Sequence, residues 1–76
     1  MDFVNYCKTQ GLHLLGEDVK FVRHRLHFVE KTQRRNFMMR YVSLWQQAMD
    51  EEQEEHRKQS RGRYAANRWL VANTCM

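Results

Sequence analysis

From Glu17 to Met49 the apolar residues recur at helical spacing twice over, with Thr32 between the two runs. A helix turns by about 100° per residue. In the first run this puts Val19, Val22, Leu26 and Val29 on one face, with Phe21 and Phe28 widening its flank. The opposite face gathers Lys20, Arg23, His24, His27 and Lys31. Glu17 and Asp18 stand in the first turn, where the helix dipole favours negative charge. Arg25 breaks the pattern, because it falls inside the apolar arc. Its position predicts either a stem that packs while the head snorkels to water, or an acidic partner.

Thr32 reads as an N-cap, since its hydroxyl can accept from the free N–H groups that open a helix. The helix it would cap runs from Gln33 to Asp50. Phe37, Tyr41, Leu44 and Ala48 form one stripe along it, and Met38, Val42, Trp45 and Met49 form a second beside the first. Together they cover nearly half the circumference, wide enough to meet two neighbours. The spacing therefore predicts the central helix of the fold, with Trp45 deeply buried.

The flanking segments are shorter. A first helix is expected from Asp2 to Thr9, burying Phe3, Val4 and Cys7, with Gly11 just beyond as a stop signal. Leu12, Leu14 and Leu15 follow in a connector that ends at Gly16, with room for an extended piece of two or three residues. The stretch from Gln53 to Gln59 is wholly polar and fits either a solvated helix extension or a loop. Ser60 is placed to cap a last helix from Arg61 to Asn73, with Ala65, Trp69 and Ala72 on one face. The expected fold is all-α, a single-domain bundle of three to four helices spanning residues 1–76.

Composition supports that reading. A chain of 76 residues is one domain near the lower size limit for a self-sufficient core, and 42% apolar residues are enough to fill one. No proline and only three glycines leave few places for turns, which argues against an all-β fold. No apolar run approaches the roughly 20 residues that span a bilayer, and no secretory leader is legible, so a cytoplasmic protein without a membrane partner is expected. Cys7 and Cys75 lie near opposite ends without metal or redox spacing. Two separate thiols fit a reducing compartment better than a terminal staple.

Chemistry is poorly supported. His24 and His27 are three apart on one helical face but lack a third ligand at useful spacing. Glu52 and His56 are four apart, yet a carboxylate-bridged metal pair needs repeated Glu-x-x-His, and the residue three before His56 is Gln53. There is no nucleophile elbow and no phosphate-cradling glycine loop. A non-enzymatic protein without metal or cofactor is the expectation.

Charge is the strongest remaining clue. The net charge of +4 conceals an acidic knot, Asp50, Glu51, Glu52, Glu54 and Glu55, followed at once by Arg57, Lys58, Arg61 and Arg63. The stripe of Lys20, Arg23, His24, His27 and Lys31 continues into Arg34, Arg35 and Arg40, with Glu30 at its edge. Stripes of this kind bind nucleic-acid phosphates, although an ordinary solvated helix face also carries Lys and Arg. The candidate contact residues are Lys20, Arg23, His27, Lys31, Arg34, Arg35, Arg61 and Arg63. The turn near Lys31 and Thr32 fits a helix-turn-helix poorly. Arginines and aromatics also mix between Arg61 and Leu70, a combination that can clamp single strands. Tyr64 and Trp69 equally serve as core anchors, which is the expected role of Trp69.

The segment Gly62-Arg63-Tyr64-Ala65-Ala66-Asn67-Arg68-Trp69-Leu70, preceded by the Trp45 helix and the His56-Arg57-Lys58 run, resembles the C-terminal part of small uncharacterised phage and prophage proteins. The likeness covers about Gln33 to Leu70. It implies a mobile-element setting and transfers no functional residue. The expected function is an accessory factor in phage or plasmid DNA metabolism that contacts nucleic acid through a basic helical face. A protein-binding inhibitor or adaptor acting on a host enzyme is the rival reading, suited by the acidic knot. A structural homodimer, helped by the broad apolar arc, is the third.

Overall fold

A computed structural model describes residues 3–74. Four α-helices account for most of them: α1 (Phe3–Thr9), α2 (Gly16–Leu26), α3 (Lys31–Glu51) and α4 (Lys58–Asn73). A 3-10 turn over Glu55–Arg57 leads into α4, and no strand forms among the described residues. The chain is thus a small all-α bundle. Asp2 and Cys75, named above as a helix start and a thiol, lie outside the described residues.

α1 stops where the glycine is needed. Gly11 takes φ +85°, the left-handed conformation that an L side chain resists. The Gly11 N–H then donates to Lys8 O and the Leu12 N–H to Cys7 O, which satisfies carbonyls left open at the helix end. Leu12 and Cys7 are both buried at this corner. The connector over residues 12–15 has no regular structure, so its backbone groups need side-chain partners. Gln59 supplies them from α4, accepting from the His13 N–H at 3.0 Å and donating to Gly11 O at 3.0 Å.

α3 is the longest element at 21 residues, and its two stripes point inward as the spacing predicts. Tyr41, Val42 and Trp45 are fully buried, while Phe37, Met38, Leu44, Ala48 and Met49 are partly so. Phe3 of α1 meets the Tyr41 ring edge-on at 6.0 Å, and the Tyr41 ring lies 5.9 Å from that of Trp45. The Trp45 indole N–H donates to Gln59 Oε1 at 3.1 Å, which satisfies its one buried polar atom.

α4 packs against α3 through a different face from the one its sequence suggests. The buried positions are Gly62, Ala66 and Leu70, not Ala65, Trp69 and Ala72. The reason is Gly62. A Cβ there would fall 2.2 Å from Trp45 Cδ1, so the α4 backbone rests directly on the indole. That approach sets the rotation of the helix, and residues four and eight further on follow it inward. Trp69 is displaced to the flank, half-buried, with its ring 5.3 Å from that of Phe37. Ala72 is exposed. Ser60 does not cap α4, because the helix begins earlier, at Lys58. Lys58 itself closes the preceding helix, donating to Met49 O at 2.9 Å and Glu52 O at 2.8 Å. A cation there also complements the helix dipole.

α2 also departs from expectation. It ends at Leu26, and residues 27–29 turn so that Val29 is buried. α3 then starts at Lys31, with Glu30 in the cap position and no side-chain cap bond. Thr32 is already inside the helix and exposed, so it is not the cap. Two arginines do the joining that was expected of caps and snorkels. Arg34 Nε donates to Leu26 O and Val29 O, both at 3.0 Å, and holds the turn between α2 and α3. Arg25 is half-buried and, among the described residues, meets no acid. It donates to Thr74 Oγ1 at 2.9 Å, Thr74 O at 2.8 Å and Val71 O at 3.2 Å. The C-terminal end of α4 offers open carbonyls at the negative end of a dipole, which accept from the guanidinium in place of a carboxylate.

Candidate nucleic-acid interface

The eight arginine, lysine and histidine positions singled out in the sequence divide by environment. Arg63 is structural: its Nε donates to Asp18 Oδ2 at 2.8 Å, its Nη2 to His13 O at 3.0 Å, and its guanidinium lies 5.3 Å from the centre of the Trp45 ring. Asp18 is only 5% exposed, and the same carboxylate oxygen accepts from the Leu15 N–H at 2.9 Å. This largely buried pair ties the start of α2 to α4, which commits most of the Arg63 guanidinium to the fold. Arg34 is spent on the turn described above. Arg61 pairs with Glu52 at 3.0 Å, its own side chain mostly exposed and that of Glu52 12% exposed. The bond from the Glu54 N–H, followed by the nearby Arg61 and Arg57 charges, holds the Glu52 carboxyl below its usual range. Glu52 is therefore committed to Arg61 and the backbone, not to His56.

The remaining positions are exposed. Lys20, Arg23 and His27 lie along the outer side of α2 with His24 among them, and Lys31 opens α3 just after the turn. Arg35 lies elsewhere on α3, in a shallow groove with Tyr6, Met38 and Met39. The face is oriented by its opposite side. Val22 and Leu26 enter the core, while Asp18 and Arg25 bind α4, which fixes the cationic side towards solvent.

One residue of this face was missed. Phe28 was expected on the apolar flank, but 46% of its surface is exposed. Its ring lies 5.6 Å from that of His24 at an interplanar angle of 83°. The signal was in the spacing, since Lys20, His24 and Phe28 are each four apart. α2 ends at Leu26, and the turn that buries Val29 keeps Phe28, just beyond the helix, against His24.

Charge is also separated along the molecule. Lys31 and Glu51 are the two ends of α3, about 30 Å apart at 1.5 Å per residue, in a molecule whose longest extent is 36 Å. The exposed Asp50, Glu51, Glu54 and Glu55 therefore lie well beyond the screening length of about 8–10 Å from the basic turn. Two exposed acids flank the row, Glu17 at the opposite end of α2 from Phe28 and Glu30 between Val29 and Lys31.

Elsewhere, Tyr41 donates its hydroxyl to Asn67 Oδ1 at 2.5 Å, and burial, then the negative field of Asp18, pushes its phenol far above the ordinary range. A phenol held neutral this way anchors the core and is no ready proton acceptor. Tyr64 is 63% exposed on α4, with Arg68 donating to its hydroxyl at 3.3 Å. Among the described residues, no three His, Cys, Asp or Glu side chains come together as a metal site, and no helix is long and apolar enough to cross a membrane. Comparison with known proteins found no matching family model, no matching curated protein and no matching solved structure.

Proposed function

We propose that this chain is a non-enzymatic nucleic-acid-binding protein that holds the phosphate backbone against the outer face of α2 and the turn that follows it. The observation that carries this reading is the run of exposed Lys20, Arg23, His24, His27 and Lys31 along one side, with the acidic knot at the far end of α3. A polyanion gains from such a face by releasing its counterions, and no base-specific contact is needed. An accessory role in phage or plasmid DNA metabolism in the cytoplasm suits this reading and the resemblance of residues 33–70. The rival reading, an inhibitor or adaptor for a host enzyme, is favoured by the exposure of Asp50, Glu51, Glu54 and Glu55 at the other end.

The test is a triple charge reversal, Lys20→Glu, Arg23→Glu and Lys31→Glu, titrated with a labelled oligonucleotide at two salt concentrations. The apolar side of α2 is untouched, so helicity by circular dichroism should persist. Affinity should collapse, and the salt dependence should flatten by a slope of about 2 for a single strand or about 3 for duplex. Unchanged affinity with an unchanged slope rejects the assignment.

A further inference from the structure

We infer that Phe28 is a base-stacking platform, and that the ligand of the α2 face is single-stranded rather than duplex nucleic acid. The inference rests on the nucleic-acid reading above and adds the form of the strand. Phe28 is 46% exposed, so its side chain presents apolar surface that a stacked base would bury. Phe28 follows α2 directly, with Lys20 and His24 eight and four residues before it and the exposed His27 as its chain neighbour.

The backbone beneath the ring is held in position. The Phe28 N–H donates to Arg25 O at 3.1 Å, the Val29 N–H to Leu26 O at 3.0 Å, and Arg34 clamps Leu26 O and Val29 O from α3. Val29, the next residue, is anchored in the core. His24 meets the Phe28 ring nearly perpendicular, a packing that fixes its tilt without covering both of its faces. A strand would therefore find the aromatic side chain on a fixed backbone and braced by His24, which lowers the cost of ordering it on stacking.

The chemistry of the strand follows. In duplex DNA every base face is already stacked, so a fixed ring beside phosphate-binding cations meets only the backbone. In a single strand the bases are free to splay, and each offers a π-face to an aromatic while its phosphates reach neighbouring cations. Lys20, Arg23 and Lys31 supply the cations, and Phe28 the stacking surface. Because every base has a π-face, this site reads little sequence.

The experiment compares three labelled ligands in fluorescence anisotropy: a thymidine 12-mer, an abasic 12-mer with the same phosphates, and a 12-base-pair duplex. The full chain and its Phe28→Ala and Phe28→Tyr variants are titrated with each. The parent should prefer the thymidine strand to the abasic one by roughly five- to hundredfold, the span of a stacked base. Phe28→Ala should remove that preference while leaving abasic-strand affinity unchanged, and Phe28→Tyr should keep it. If the parent binds the thymidine strand but Phe28→Ala binds it equally well, or if duplex binds more tightly than the strand, the stacking inference falls while the phosphate reading stands. Absence of binding to all three ligands overturns both. A ribonucleotide 12-mer separates RNA from DNA preference within the same chemistry.

Discussion

Gly62→Ala is the smallest change that tests how α3 and α4 meet. The new methyl would lie 2.2 Å from Trp45 Cδ1, 2.5 Å from Nε1 and 2.7 Å from Cγ, where carbon contacts normally settle at about 3.5–4.0 Å. Either α4 moves out by more than an ångström or the indole does. The indole is fully buried, bonded to Gln59, flanked by Tyr41 and covered by the Arg63 guanidinium. Shifting it puts at risk a hydrogen bond worth about 1 kcal/mol and a cation–π contact of about 0.5–2 kcal/mol. Overpacking itself costs about 1–3 kcal/mol. Against these, alanine gains about 0.8–1 kcal/mol in helix propensity over glycine. With the bond and the ring contact both lost the net cost is about 1.5–5 kcal/mol, and even its lower end lowers Tm in a domain of this size by roughly 6–12 °C. Thermal melts followed by far- and near-ultraviolet circular dichroism measure it. Gly16→Ala is the control, because its Cβ meets nothing within 4 Å and Gly16 opens α2. That variant should be neutral or gain up to about 1 kcal/mol. If Gly62→Ala melts at or above the parent temperature, α4 does not rest its backbone on Trp45, and the packing described above is wrong.

Two further perturbations probe the polar core. Asp18→Asn removes the charge that faces Arg63 but keeps the shape. Because Arg63 retains about a quarter of its exposure, the cost should fall below that of a fully buried pair, at about 2–3 kcal/mol in urea unfolding; a loss under about 0.5 kcal/mol would show that the pair does not join α2 to α4. Tyr41→Phe tests the raised phenol pKa. The folded protein keeps the phenol neutral, so its contribution is intact below the ordinary value near 10 and is lost as pH climbs above it, by up to about 1.4 kcal/mol per pH unit. The variant should be weaker at pH 7 by about 1 kcal/mol for the lost bond to Asn67 and should show a shallower decline above pH 10; parallel alkaline limbs would refute the burial of a neutral phenol.

The sequence was most legible where one face had to be apolar. The α3 stripes, the Gly11 stop and the all-α class follow from periodicity and backbone sterics alone. It was least legible where a single close approach or a charged side chain decided the packing. In α4, Trp69 is the larger apolar residue, but Gly62 meets Trp45 and turns the helix by its own absence of a side chain. Such a contact depends on a partner 17 positions away in the chain (62 minus 45), which no local pattern reveals. The arginines behaved likewise. Arg34 and Arg63 look like surface charge in the sequence and Arg25 like a snorkel or an acid's partner, but all three bind helix-end or connector carbonyls, and Arg63 a buried carboxylate as well. The candidate surface therefore contracted from eight positions towards the α2 side, and Phe28 joined it because the turn ended the helix before its apolar flank was complete.

The central claim is that nucleic acid meets the outer face of α2 and the following turn, and amide mapping tests it most directly. Titrating the nitrogen-15-labelled chain with an unlabelled thymidine 12-mer and following backbone amide shifts reads every described helix at once. The largest shifts should cluster from Lys20 to Lys31, with the Phe28 ring protons moving alongside them, while the Asp50–Glu55 end stays still. Shifts concentrated on Arg61–Trp69 or at the acidic end, or no shifts at millimolar strand, would contradict the account.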